Sequence, residues 1–246
     1  MQHRSKKIKK SLFIILVVLM VLSGGSAIHL SNYYHSVDVE KYMNGSSEVS
    51  VEKFDKGWFF DGAGEEKALI FYPGAKVATE AYAPLMYQLA ESGIDCFLVD
   101  MPFHMAFFGM NRAEEIMQEY NYEAWYLGGH SLGGAMAANF AADYVEDHTD
   151  GIRGLLLLAA YPTKDLSTSD MSVVTVYGSK DGVLNMDKIV AGRELMPQDY
   201  KEVCIEGGNH AQFGSYGTQK GDGTAAIPTE EQWARTVEVF VGDESE

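Results

Sequence analysis

Cysteine is nearly missing from these 246 residues: Cys96 and Cys204 are the only two. Two thiols cannot form a cysteine metal cluster and make a disulfide framework improbable. Each sits in an apolar run that reads as a strand, so both are expected to be buried free thiols. Proline is also sparse, at six, and neither proline nor glycine gathers into a long stretch. Nothing after residue 50 resembles an interdomain linker, and no internal repeat is visible. Positive charge is scarce as well, with 19 Lys and Arg against 35 Asp and Glu. The five cations Arg4, Lys6, Lys7, Lys9 and Lys10 are unopposed within residues 1–10. Setting them aside turns the formal −16 of the chain into −21 for residues 11–246. Such an acidic body repels nucleic acid and anionic head groups, which argues against a nucleic-acid partner.

Apolar side chains are plentiful. At 46% hydrophobic and 12% aromatic, the chain can bury a sizeable core, and its length suits one large domain. The amino terminus is organised differently from the rest. A basic n-region at 1–10 precedes the apolar "SLFIILVVLMVL" and the small residues of "SGGSAIHL". That order resembles a secretory signal peptide, with Ala27 as a candidate cleavage residue. The apolar stretch also extends from Leu12 to Leu30, close to the roughly 20 residues that span a bilayer. No cysteine follows it, which rules out a lipoprotein anchor. The favoured reading is a signal-anchor over 11–30, basic end in the cytoplasm, with the body held outside the cell membrane. Secretion after cleavage is the alternative. A stalk over 31–48 and a catalytic domain over 49–246 complete the expected organisation.

Strand-like and helix-like segments alternate through the body. "EVSVEKF" and "GWFFDG" suggest an antiparallel pair. "KALIFYPG", "IDCFLVDMP", "AWYLGG", "IRGLLLLAAYP", "MSVVTVYGSKDG" and "KEVCIEGGNH" read as strands, several buried on both faces. Between them lie "TEAYAPLMYQLAESG", with Thr79 as an expected N-cap, then "NRAEEIMQEY", "LGGAMAANFAADYVED" and "NMDKIVAGRELM". The last helix opens on Thr229 and Gln232, spaced as a capping box. Trp233, Val237, Phe240 and Val241 form its apolar face. The alternation predicts an α/β fold: a mainly parallel sheet with helices on both faces.

Four glycines surround one serine in "LGGHSLGGAM". A dinucleotide fingerprint fails because Ser131 or His130 stands where its second glycine belongs. A P-loop fails because Gly134 stands where its lysine belongs. G-x-S-x-G fits as Gly129, His130, Ser131, Leu132 and Gly133. A serine at a sharp strand-to-helix turn holds strained backbone, and side chains two residues to either side would collide with it. The N–H of Leu132 is then aimed where a tetrahedral oxyanion forms. Close helix packing through small residues is the competing explanation of the glycines.

Such a serine needs a base, and the base an orienting acid, in the chain order Ser, Asp or Glu, His. His210 follows the last strand, whereas His148 lies in a polar helix end. His210 is therefore the expected base. Asp181 follows the penultimate strand in a glycine-flanked turn. Asp165, Asp170 and Asp187 sit in polar segments, and Asp100 precedes the serine. Asp181 is the expected acid. In "FYPGAKV", Ala75 is the candidate for a second oxyanion N–H, and Lys76 lines the mouth or is an ordinary surface lysine.

Taken together, "FYPGAKV", "YAPLMYQLAESG", "DMPFHMAFFGMNRA", "GGHSLGGAMAA", "LLLAAYP", "YGSKDG" and "EGGNHAQFG" resemble the α/β-hydrolase superfamily. The likeness runs from 50 to 241 and is nearest to small, cap-less serine hydrolases of the dienelactone-hydrolase-like type, often anchored in a membrane at the amino terminus. It implies an eight-stranded sheet, a triad of Ser131, Asp181 and His210, and an oxyanion hole from Ala75 and Leu132. Dienelactone hydrolases proper carry cysteine where this chain has Ser131, so the scaffold transfers and their substrate does not.

The expected activity is carboxylesterase-like cleavage of small or short-chain esters through an acyl-enzyme, with no cofactor and no metal. Only 50 residues separate Ser131 from Asp181, which leaves little room for a lid. The aromatic loop 102–110 could form an acyl pocket, dip into a membrane, or pack beneath the first helix. A lipase or peptidase with the same triad is an alternative, as is an idle envelope binding or structural domain that keeps the fold.

Overall fold

The structure, a computed structural model, describes residues 32–148 and 151–243. The expected n-region and apolar segment at 1–30 lie outside them. Among the described residues, no helix is long and apolar enough to cross a membrane.

The near-continuous apolar runs become the central strands: β3 (Lys67–Tyr72), β4 (Asp95–Val99), β5 (Ala124–His130), β6 (Ile152–Leu158) and β7 (Ser172–Gly178). With β1 (Ser50–Phe54), β2 (Gly57–Asp61) and β8 (Tyr200–Ile205) they form an eight-stranded sheet in the order β1-β2-β4-β3-β5-β6-β7-β8. The β1–β2 hairpin is antiparallel and pairs antiparallel with β4, while β4, β3, β5, β6, β7 and β8 run parallel. Parallel strands need crossovers, and here helices supply most of them. They are α2 (Ala83–Glu91), α3 (Arg112–Glu119), α4 (Leu132–Asp147) and α5 (Met186–Gly192), with a short α1 (Glu40–Met43) before the sheet and α6 (Thr229–Asp243) after it.

Alternation along each strand divides the core into two layers. Leu69, Phe71, Leu156 and Leu158 face one way, onto Leu85, Met86 and Leu89 of α2 and Trp233 and Phe240 of α6. Ile70, Tyr72, Leu155 and Leu157 face the other, onto Ile116 of α3 and Ala137 and Ala141 of α4. Both faces are thus covered, which is why β6 can read "LLLL" without alternation. Truncating one of these leucines to alanine would cost about 2–5 kcal/mol. Val237 and Val241 of α6 pack against the first layer. The β6–β7 connection, 159–171, holds no helix, so no cap domain rises there.

Several expectations need correction. Thr79 is not an N-cap: it is buried in a 3-10 turn, Thr79–Tyr82, and makes no capping bond. Thr229 and Gln232 do not form a capping box. The Pro228 carbonyl starts α6 by accepting the N–H groups of Glu231 and Gln232, and the Gln232 side chain is used elsewhere. Cys96 is buried, but Cys204 is exposed, because β8 is the edge strand and part of its surface meets solvent. Residues 34–48 do not stand clear as a stalk. Tyr34 bridges Val77, Val37 N–H donates to Ser215 O at 2.8 Å, and Val39 is buried.

Candidate active site

Strand β5 ends at His130 and α4 begins at Leu132, leaving Ser131 alone to turn the chain. It does so at φ 53° and ψ −121°, a left-handed conformation that costs a non-glycine residue of order 1–3 kcal/mol. Two bonds hold it there: Ser131 N–H donates to Leu158 O at 2.8 Å, and Ser131 O accepts from Ala135 N–H at 3.1 Å. The flanking glycines are demanded by space. A Cβ on Gly133 would lie 2.1 Å from Tyr72 O, and one on Gly129 would lie 2.6 Å from Gly133 C. Helix α4 is thereby pressed onto the carboxyl end of β3, which neither a larger residue nor a looser turn would allow. Leu132, in the first turn of α4, carries one of the N–H groups that a helix start leaves unbonded.

The last two strands, β7 and β8, deliver an acid and an imidazole to the same edge of the sheet. Asp181 follows β7 and His210 follows β8. Asp181 Oδ2 lies 2.8 Å from His210 Nδ1, and both side chains are 2% exposed. The other oxygen, Oδ1, accepts the N–H groups of Val183 and Leu184 at 2.8 Å each, so the carboxylate cannot rotate away. The His210 ring rests on that of His130, with centroids 4.4 Å apart, which sets it beside the residue that precedes Ser131. Among the described residues no hydrogen bond links Ser131 Oγ to His210; such bonds are often long until substrate binds. Among the described residues, none of the rivals bonds to Ser131, Asp181 or His210. His148 is exposed and stacks on Tyr144, Asp165 accepts Ser167 N–H, and Asp170 and Asp187 are exposed. Asp100, at the end of β4, has its carbonyl taken by Arg112.

Ala75 sits in the turn after β3. Gly74 N–H donates to the Tyr82 hydroxyl at 3.0 Å and Lys76 N–H to His104 O at 2.8 Å. The turn is therefore pinned on both sides of Ala75. Tyr82 Oη lies 2.7 Å from His130 Nδ1. With Oη accepting from Gly74, its own proton is available to a neutral His130, leaving Nε2 buried without a partner. Burial, reinforced by the adjacent His210, holds the His130 imidazole well below its ordinary range, and burial pushes the Tyr82 phenol up. Both rings therefore stay uncharged.

Three further residues shape this site, and their identity alone did not single them out. Asp222 Oδ1 accepts from Gly182, His210 and Gly223 N–H at 3.0, 3.2 and 2.8 Å, and Oδ2 from Ala211 N–H at 2.8 Å. One carboxylate thus ties the loop of Asp181 to the loop of His210. Gln232, fully buried, pairs with both backbone groups of Asn209, accepting at 3.0 Å and donating at 2.9 Å. The third, Tyr82, holds the Ala75 turn. The one signal for Asp222 is its Gly-Asp-Gly setting, a turn in which a carboxylate meets free backbone donors. Among the described residues no group of three or more His, Cys, Asp or Glu converges as a metal site would.

No curated protein matches this sequence. Solved structures do. An esterase of Pyrobaculum calidifontis superposes with a TM-score of 0.60 at 15% identity, over 84% of this chain and 88% of that one. Carboxyl esterase 2 of the mycorrhizal fungus Tuber melanosporum gives 0.59 at 13% identity, over 85% and 89%. A thermostable esterase of Pseudomonas putida gives 0.56 at 17% identity, over 90% and 88%. At such identities the likeness is one of fold. The sequence itself is more specific: residues 68–234, carrying β3 through the start of α6, match the alpha/beta hydrolase family. The chain belongs to that family of hydrolases.

Proposed function

We propose that this hydrolase cleaves carboxylic esters through an acyl-enzyme on Ser131. The observation that carries the reading is the buried Asp181–His210 pair at 2.8 Å, whose imidazole lies against the ring of His130, the residue before a serine held at φ 53°. Asp181 keeps the proton of the imidazole on Nδ1, so Nε2 is free to act as base. Ser131 Oγ attacks the ester carbonyl as its proton passes to His210 Nε2. The developing oxyanion is received by the N–H groups of Ala75 and Leu132, each donor being worth about 10²–10³ in rate. Collapse expels the alkoxide, which leaves with the proton from His210. Water then repeats the sequence in reverse and frees Ser131.

The short β6–β7 connection keeps the site open, which favours small or short-chain esters and a cap-less, dienelactone-hydrolase-like subtype. The basic residues of 1–10 and the apolar run over 11–30 favour an anchored protein whose catalytic domain, from residue 49, lies outside the cell membrane. The test is a panel of 4-nitrophenyl esters of increasing acyl length with the wild type and Ser131→Ala. Turnover falling with chain length, and abolished in the variant with its fold intact, is the expected outcome. Retained turnover in Ser131→Ala would remove Ser131 as nucleophile, and no turnover by either would favour an idle binding domain.

A further inference from the structure

Phenylalanine is a core residue over most of this chain: Phe60, Phe71, Phe97, Phe213 and Phe240 are each at most 1% exposed. The loop after β4 breaks that rule. Phe103, Phe107 and Phe108 are 57%, 48% and 52% exposed, and their rings cluster, with centroids 5.5 Å apart for Phe103–Phe108 and 4.1 Å for Phe107–Phe108. The backbone that presents them is left-handed at two successive non-glycine positions, Phe103 at φ 57° and His104 at φ 54°. Strain of that kind persists only where surrounding bonds enforce it. Here one of those bonds is Lys76 N–H to His104 O at 2.8 Å, which fastens the aromatic loop to the turn bearing Ala75. The three rings therefore stand at the rim of the site and do not pack beneath the first helix.

The same turn receives the chain from the amino terminus. Tyr34 N–H donates to Lys76 O at 2.7 Å and Ala78 N–H to Tyr34 O at 2.8 Å, making the parallel bridge Tyr34–Val77. The apolar run ends at Leu30, and four peptide steps reach at most about 14 Å. A membrane that holds residues 12–30 is therefore confined to within that reach of Tyr34, and so of the turn shared by Ala75 and the aromatic loop. We propose that Phe103, Phe107 and Phe108 dock the rim of the site onto a neutral lipid surface, from which the ester substrate is drawn. The inference rests on the ester-hydrolase and membrane-segment readings above. The lipid is neutral because a body of net −21 is repelled by an anionic leaflet, while aromatic rings enter the interface without cationic help.

The experiment uses the full chain reconstituted in phosphatidylcholine vesicles whose acyl chains carry bromine as a fluorescence quencher. F107W adds emission above that of Trp58, Trp125 and Trp233, and V190W, exposed on α5, serves as the control. The expected result is loss of about half or more of the emission added by F107W, as for a ring seated at the headgroup–acyl boundary, with the V190W emission unchanged. Unquenched F107W emission overturns the proposal. So does a concentration-dependent blue shift of F107W without lipid, which would assign the patch to a second copy of the chain. Quenching needs no turnover, so it reads docking whether or not Ser131 proves to be the nucleophile. In the triple variant F103S/F107S/F108S, the ratio of vesicle-ester to soluble-ester turnover should fall about tenfold or more, and an unchanged ratio would also overturn the proposal.

Discussion

Asp222 holds His210 by its main chain: Oδ1 accepts His210 N–H at 3.2 Å while the same oxygen accepts Gly182 N–H at 3.0 Å, next to Asp181. Two loops that follow different strands are thereby locked in one register, and the distance from Asp181 to His210 follows from that lock. Bonds from backbone donors to a carboxylate are worth about 1.5–3 kcal/mol each. In Asp222→Asn an amide N–H₂ replaces one acceptor and meets a donor. The variant should lose about tenfold to hundredfold in kcat, as misplacement of a catalytic group does, with KM little changed. Steady-state kinetics on a soluble aryl ester, with circular dichroism to verify folding, checks this.

Tyr82 does for the Ala75 turn what Asp222 does for His210. Tyr82→Phe removes the acceptor of Gly74 N–H and the partner of His130 Nδ1. The expected outcome is a fall in kcat of about tenfold or more, because a displaced oxyanion donor loses up to 10²–10³. Affinity for a planar-carbonyl ground-state inhibitor should hardly change, since the donor acts on the tetrahedral oxygen.

His130 makes stability depend on pH in a defined direction. Its folded-state pKa lies well below the ordinary value through burial, while the unfolded chain titrates near 6.5. Between these two values the unfolded state binds a proton that the folded state refuses. The contribution is thus fully present above about 6.5 and is lost as pH falls, at up to about 1.4 kcal/mol per pH unit. His130→Asn should flatten that acid limb. Urea midpoints of both proteins between pH 7 and 5 provide the measurement.

Gly133 and Gly242 should respond oppositely to alanine. At Gly133 a Cβ meets Tyr72 O at 2.1 Å, whereas at Gly242, in α6, it meets nothing within 4 Å. Gly133→Ala is expected to cost about 1–3 kcal/mol or more through overpacking and to abolish turnover by moving Ser131. Gly242→Ala should be neutral or stabilise by up to about 1 kcal/mol. Thermal melts of the two variants test the contrast.

What could be read from residues alone follows a physical line. The central strands were legible because burial on both faces makes β6 and β4 apolar over most of their length. Ser131 was legible because only glycine fits against the Tyr72 and Pro73 carbonyls. The meeting of Asp181 and His210 was legible by position, each following a strand at the carboxyl edge. Asp222 was not, because its bonds go to backbone N–H groups up to 40 residues away, and backbone carries no residue identity. The role of Gln232 is hidden for a related reason: its spacing from Thr229 suits a local cap, but its amide is spent on Asn209. The exposure of Cys204 was not legible because strand propensity does not reveal which strand lies at the edge.

Covalent capture tests the central claim most directly. The full chain is treated with a fluorophosphonate, digested, and the modified peptide sequenced by mass spectrometry. An acyl-type nucleophile at Ser131, activated by His210, predicts one phosphonylated site, on Ser131 in "GGHSLGG", lost in His210→Ala. A protein that folds normally yet leaves Ser131 unmodified, or that reacts at a different serine, would contradict the account.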